Sequence, residues 1–167
     1  QDVPLSVSAI TAETLTRQEA TSTQSLLRLF PNLSGGQITG AGSNNYSMRG
    51  LSNAETAATF DSPVGTYLDG IYIARINANN FALFDVDRIE VLRGPQGTLF
   101  GRNTTQGAIN IVLKKPSRDF VASAELSAGN YGHYQVRASA DLPISDTIRT
   151  RIAAYKMDED GWVDNVT

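Results

Sequence analysis

The sequence predicts an α+β fold in two parts, and three observations lead there. Residues 1–116 hold several short strand-like runs, two or three short helical stretches and long polar connections, without the regular strand–helix–strand repeats of a doubly wound nucleotide fold. Within them, VGTYLDGIYIA (64–74) is two alternating runs around Asp69-Gly70, a strong hairpin signal. After Pro116 the texture changes to strict alternation in FVASAELSA (120–128) and YQVRASADL (134–142), continued by TIRTRIAAYKM (147–157) with Arg149 and Arg151 on one face.

The elements follow in order. LSVSAI (5–10) alternates and reads as a short strand. Thr11 precedes AETLTRQEA as the cap of a helix. Ser22 or Thr23 caps a second, TQSLLRLF, with Leu26, Leu27 and Phe30 on one face and Pro31 as its stop. LSGGQITGAGSNN (33–45) reads as a weak strand and a loop, YSMRG (46–50) as a short strand, and 51–63 as a polar loop. After the hairpin comes a polar loop, RINANN (75–80), then FALFDVDR (81–88) as a short helix. IEVLRG (89–94) is a strand, PQGTLFGRNTTQG (95–107) a turn and loop, and AINIVLKK (108–115) a strand ended by Pro116. The domain boundary falls at about 117–119.

Each alternating run beyond it matches the ~9–11 residues of a tilted membrane-spanning strand. A soluble three-stranded meander with one wet face has the same pattern. The turns GNYGH and PISD separate the runs.

Composition narrows the chemistry. The 167 residues are 41% hydrophobic and 19% charged, a folded composition. A net charge of −3 gives no basic excess, so nucleic acid is not an expected partner. With no cysteine there is no thiol catalysis, thiolate zinc site or disulfide, and one histidine, His133, leaves little for a His-based metal site or a Ser-His-Asp triad. No run approaches the ~18 apolar residues of a membrane helix, which leaves β-strand spanning open. The opening QDVPLSVSAI carries no signal peptide and reads as a processed or truncated start.

The glycine-rich RIEVLRGPQGTLFG (88–101) invites three chemical readings. A phosphate loop needs Lys-Ser/Thr after its last glycine; none lies between Gly94 and Gly101, and Pro95 deletes a backbone donor. A dinucleotide fingerprint needs glycines at other spacings, opening a long helix. A nucleophile elbow needs a serine, and none lies between Gly94 and Gly107. What remains is a structural corner between two strands, in which Gly94, Gly97, Gly101 and Gly107, like Gly70 in the hairpin, serve as turn glycines.

DRIEVLRGPQGTLFGRNTTQGAINIVLKKP resembles the signature of the plug domain of TonB-dependent outer-membrane receptors. VGTYLDGIYIA resembles the plug's hairpin, YSMRG its other Arg-Gly strand, and QDVPLSVSAITAE its start. Gln106-Gly107 and Leu113 depart from the family's usual Gly-Gly and Thr. The resemblance implies a small mixed-sheet plug domain with short helices over 1–118 and, over 119–167, the first antiparallel strands of a transmembrane β-barrel of about 22 strands. It places the TonB box before Gln1 and most of the barrel after Thr167, so the chain reads as part of a larger receptor.

The implied function is gating of active uptake across a Gram-negative outer membrane, without catalysis or cofactor. The substrate is most often an iron–siderophore complex. The implied partners are TonB, the remaining barrel, outer-membrane lipid and that substrate. The alternative is a soluble α+β binding module, carbohydrate-binding or secretin-like, in which the late strands pack on residues 1–116.

By the same resemblance Arg49 and Arg93 dock the plug on glutamates of the barrel wall, with Glu90 beside them as a third docking residue; the alternative is a surface role for the arginines or a pair with Glu90 or Asp87 within the plug. Candidate substrate contacts on apical loops are Asn44, Asn45, Tyr46, Asn53, Glu55, Arg75 and Asn77, Tyr46 foremost because it offers a ring and a hydroxyl. Asp158, Glu159 and Asp160 read as a solvated turn in preference to a cation-recruiting cluster, Asp85 and Asp87 as dipole-complementing or capping residues, and Trp162 with Tyr155 as an interfacial aromatic pair or, alternatively, part of a soluble core.

Overall fold

The structure, a computed structural model, describes residues 6–37, 44–50, 62–75 and 78–161. It divides into two units, Gln1–Leu113 and Lys114–Thr167.

In the first unit, β1 (Ser6–Thr11) runs into α1 (Ala12–Arg17), whose Leu15 is buried. A 3-10 turn (Thr23–Ser25) leads into α2 (Leu26–Leu29), one turn that buries Leu26 before Pro31 forbids continuation. β2 (Leu33–Gln37) and β3 (Asn44–Met48) form a two-stranded antiparallel ribbon. β4 (Val64–Leu68), β5 (Ile71–Tyr72), β6 (Val86–Arg93) and β7 (Gly107–Leu113) join β1 in a mixed sheet of order β1-β6-β7-β4-β5, in which β4 and β7 are the parallel pair. A short α3 (Gly97–Phe100) sits between β6 and β7.

The Asp-Gly hairpin forms as read. Asp69 (φ 48°) and Gly70 (φ 80°) both take left-handed backbone, which matches the strand twist. The aspartate then fastens the turn to the central strand: its Oδ1 accepts from the Leu113 amide at 2.9 Å and its own amide donates to the Ile111 carbonyl at 2.9 Å. β7 is apolar except for Asn110, as a largely covered central strand is, and Ile109 and Ile111 are fully buried with Ile89 of β6. α1, the 3-10 turn and α2 supply the cover through Leu15, Leu26 and Phe30.

Residues 81–88 are not the expected helix. Ala82 bridges to Ser22, and the amides of Thr23 and Leu83 bond across to the Phe81 and Thr21 carbonyls at 3.1 and 2.8 Å. Leu83 and Val86 enter the core, Asp85 is left-handed (φ 57°), and β6 begins at Val86. Non-local backbone pairing replaces the i→i−4 ladder that the local pattern favours.

The second unit holds β8 (Val121–Ala128), β9 (Tyr134–Pro143) and β10 (Arg149–Asp158), an antiparallel sheet of order β10-β9-β8. Leu126 lies opposite Val136, and Ala138 opposite both Ala124 and Ala154. Ala122, Ala124, Leu126, Val136, Ala140 and Ile152 therefore share one face. Ser123, Glu125, Arg137, Ser139, Asp141 and Arg151 share the other.

Candidate functional site

The corner between β6 and β7 is where the sequence concentrates its signature, and it is braced by backbone. The Gly94 amide donates to the Gln106 carbonyl and the Gln96 amide to the Thr104 carbonyl, both at 2.9 Å. Thr104 Oγ1 donates to the Gly101 carbonyl at 2.8 Å, and the Gln106 amide reaches the Pro63 carbonyl at 3.1 Å. These bonds engage the Gly94, Gln96 and Gln106 amides within the turn itself. Gly94 takes φ 91°, a conformation that a side chain disfavours. Gly107 is required for a different reason: a Cβ there would collide with the Leu92 carbonyl oxygen and lie 2.5 Å from Met48 Sδ. Gly97, by contrast, has open space around it and an ordinary backbone.

Beneath the corner Tyr67, Tyr72 and Phe100 pack ring on ring, with centroids 5.4 and 4.8 Å from Tyr67. Tyr67 Oη donates to the Phe100 carbonyl at 2.6 Å, and burial followed by the neighbouring Tyr72 raises the Tyr67 pKa.

Arg49 and Arg93 flank the same corner. Arg49, exposed and left-handed at φ 57°, points its guanidinium to within 3.9 Å of where a Gly94 Cβ would stand. Arg93 Nη2 donates to the Pro31 carbonyl at 3.4 Å. Among the described residues neither arginine has a carboxylate partner. Asp87 and Glu90 are engaged elsewhere: Arg88 reaches them at 2.9 and 2.7 Å, and Asn110 Nδ2 donates to Glu90 Oε2 at 3.0 Å. The Asn110 bond, ahead of the Arg88 contact and against partial burial, holds the Glu90 carboxyl below its ordinary range. Glu90 thus ties β6 to β7 rather than presenting a free carboxylate.

The expected substrate contacts are scattered differently from the reading. Asn44, Asn45 and Tyr46 belong to β3 and are buried; Tyr46 is 0% exposed, donates from Oη to the Thr23 carbonyl at 3.2 Å, and has its pKa raised chiefly by burial. Tyr46 therefore offers no ring to a surface ligand: a Tyr whose hydroxyl finds a main-chain acceptor can be interred whole. Arg75 is exposed. Asn53, Glu55 and Asn77 lie outside the described residues.

Thr23, Asn79, Gln96 and Gln106 were missed as organising residues. Only the capping reading of Thr23 hinted at a hydrogen-bonding hydroxyl; the partners of the others are distant in sequence.

On the polar face of the second unit, Arg151 bonds Asp141 at 2.7 Å and Ser139 at 3.0 Å, Ser123 meets Ser139 at 2.9 Å, and Arg137 approaches Glu125 at 3.7 Å. The acidic run is bound into turn contacts: Tyr134 Oη donates to Asp158 at 2.9 Å, His133 lies 3.3 Å from Glu159, and the Asp160 amide donates to the Tyr131 carbonyl at 2.8 Å. No group of three or more metal-ligating side chains occurs among the described residues.

A family model described as the TonB-dependent receptor plug domain matches residues 1–108. The pesticin receptor of Yersinia pestis is 31% identical over 144 residues, covering 85% of this chain and 21% of that protein. The ferrioxamine B receptor of Salmonella typhimurium is 29% identical over 153 residues, 89% of this chain and 21% of that protein. Among solved structures, the ferric yersiniabactin uptake receptor of Yersinia pestis superposes with a TM-score of 0.75 at 28% identity, over 90% of this chain and 24% of that one. The alcaligin outer-membrane receptor of Bordetella pertussis gives 0.74 at 27%, over 95% and 27%. The chain spans about a fifth of the length of the curated relatives it matches.

Proposed function

The chain belongs to the TonB-dependent receptor plug domain family, and from that premise we propose that residues 1–118 are the gate of an outer-membrane receptor and residues 119–167 the first strands of its barrel. The receptor imports a ferric siderophore, does no catalysis, and is driven by TonB acting on a segment N-terminal to the gate. The observation that carries this reading is the family match over 1–108 together with its signature corner, built here as a braced turn.

The physics of each unit suits its role. A gate lodged in a polar lumen has to be removable. Apolar contact with the wall would resist removal at about 25 cal/mol per Å²; hydrogen-bonded and ionic contacts exchange with water at far smaller net cost. Arg49 and Arg93, on one corner and without carboxylate partners among the described residues, take two carboxylates from the barrel wall, and charge-assisted bonds of that kind fix orientation. Arg75, with Asn53, Glu55 and Asn77, supplies the polar substrate contacts. In the second unit the cross-linked polar face looks into the lumen and the apolar face into lipid, where Leu126 (79% exposed) and Ile152 (57%) find the apolar surroundings they lack within the sheet. This also favours the barrel over a soluble binding module, in which those side chains would be buried.

The substrate class rests on the relatives, which are named for ferrioxamine B, ferripyoverdine and ferric yersiniabactin. The test is growth of an iron-starved, siderophore-deficient strain carrying the full-length receptor. The reading expects growth on at least one ferric siderophore, abolished by loss of TonB. Failure on all of them, with TonB-dependent growth on cobalamin or a saccharide in a strain limited for that nutrient instead of iron, would reassign the substrate.

A further inference from the structure

Thr23 is fully buried and sits at the start of the 3-10 turn. Its hydroxyl donates to the Asn79 carbonyl at 2.6 Å and accepts from the Phe81 amide and from Asn44 Nδ2, each at 3.3 Å. That is the full capacity of a hydroxyl. Its own amide donates to the Phe81 carbonyl at 3.1 Å, and its carbonyl accepts from Tyr46 Oη at 3.2 Å. One residue thus makes five hydrogen bonds to two other segments, the connection before β6 and the start of β3. The Leu83 amide on the Thr21 carbonyl and the Ser22–Ala82 bridge extend the seam.

The joint is incompletely satisfied. Asn44 Oδ1 and Asn79 Oδ1 are buried and accept no hydrogen bond. The Asn44 amide cannot simply be turned over, because its Nδ2 already donates to Thr23 Oγ1 and to Asn80 Oδ1.

We propose that Thr23 is the joint that couples residues 79–83, ahead of β6, and the start of β3 to the N-terminal segment, so that displacing either side loosens the other. It is a positioning residue. The inference extends the gating function proposed above and rests on it for its biological use, though not for its physical test.

The test is amide hydrogen exchange on the full-length receptor. Thr23→Val keeps the volume and deletes three side-chain bonds; Thr23→Ser keeps the hydroxyl. Thr23→Val should speed exchange by about tenfold or more both at Phe81 and Leu83 and across 15–30, and Thr23→Ser should restore both. Acceleration at Phe81 and Leu83 with 15–30 within about twofold of wild type would overturn the joint, as would a Thr23→Ser protein as altered as Thr23→Val. Should Thr23→Val not assemble, Tyr46→Phe removes one bond and should give a smaller rise on both sides; a rise on one side alone overturns the proposal. As a functional arm, Thr23→Val should cut uptake of a ferric siderophore that the wild type carries more than it cuts its binding; equal losses would contradict coupling. If the wild type carries none, the functional reading fails while the exchange result still decides the joint.

Discussion

Ile109 in β7 and Leu126 in β8 are both strand residues, yet Ile109 is wholly buried and Leu126 is 79% exposed. The first unit surrounds its central strand: β6 and β4 flank it, and Leu15, Leu26 and Phe30 lie in the same core. The second unit is a single sheet whose β8 is exposed along its whole length. The sequences already differ in kind. GAINIVL is nearly continuous in apolar residues, as a strand covered on both faces should be. VASAELSA alternates small apolar with polar residues and builds no core from its own side chains. The lesson is that one unit carries its interior with it, whereas the other leaves the apolar face of its sheet exposed.

That contrast can be broken most forcefully at its buried end. Ile109→Ala should destabilise the first unit by about 2–5 kcal/mol, read as a drop in denaturant midpoint, because deletion at a fully enclosed site adds a cavity to the lost transfer energy. An effect below about 1 kcal/mol would mean that the core is looser than described. Next in size, Leu126→Arg in the full-length receptor should cost about 2–4 kcal/mol of folding into bilayers if its site is near the bilayer midplane, while Ser127→Arg one residue on should cost little. Equal penalties would erase the distinction between faces.

The smallest effect concerns pH. The Glu90 carboxyl is held below its unfolded value of 4.5, first by the Asn110 bond and also by Arg88. Its stabilising contribution is therefore fully present above that value and fades as pH falls through the lower, folded one. Glu90→Gln should flatten the acid limb of the first unit's stability profile and leave the second unit's strands unchanged. An unaltered acid limb would show that Glu90 does not tie β6 to β7.

Legibility in sequence followed the range of the interactions. The Asp69-Gly70 hairpin, Pro31 as a helix stop and the three late strands depend on neighbours or on period-2 alternation, and their positions were readable to within a residue or two. FALFDVDR misled because its fate is set by Thr21 and Thr23, some sixty residues earlier in the chain, whose backbone pairs with it. Tyr46 misled for the same reason: a loop-flanking Tyr reads as exposed until the distant Thr23 carbonyl that receives its hydroxyl is in view. α3 was missed because a single turn between Gly97 and Gly101 leaves no periodicity to detect. At the candidate site, the sequence located the corner and its two arginines, but not that Arg88 and Asn110 already occupy Glu90.

The central claim is that the even-numbered residues of β8 face lipid and the odd-numbered ones face water. Because this stretch contains no cysteine, nitroxide labels can be placed singly at 122 through 128 in the full-length receptor reconstituted into bilayers. The account predicts accessibility that alternates residue by residue, with 122, 124 and 126 open to oxygen dissolved in lipid and 123, 125 and 127 open to a water-soluble nickel chelate. Uniform access to the chelate at every position, or an alternation of the opposite phase, would contradict it.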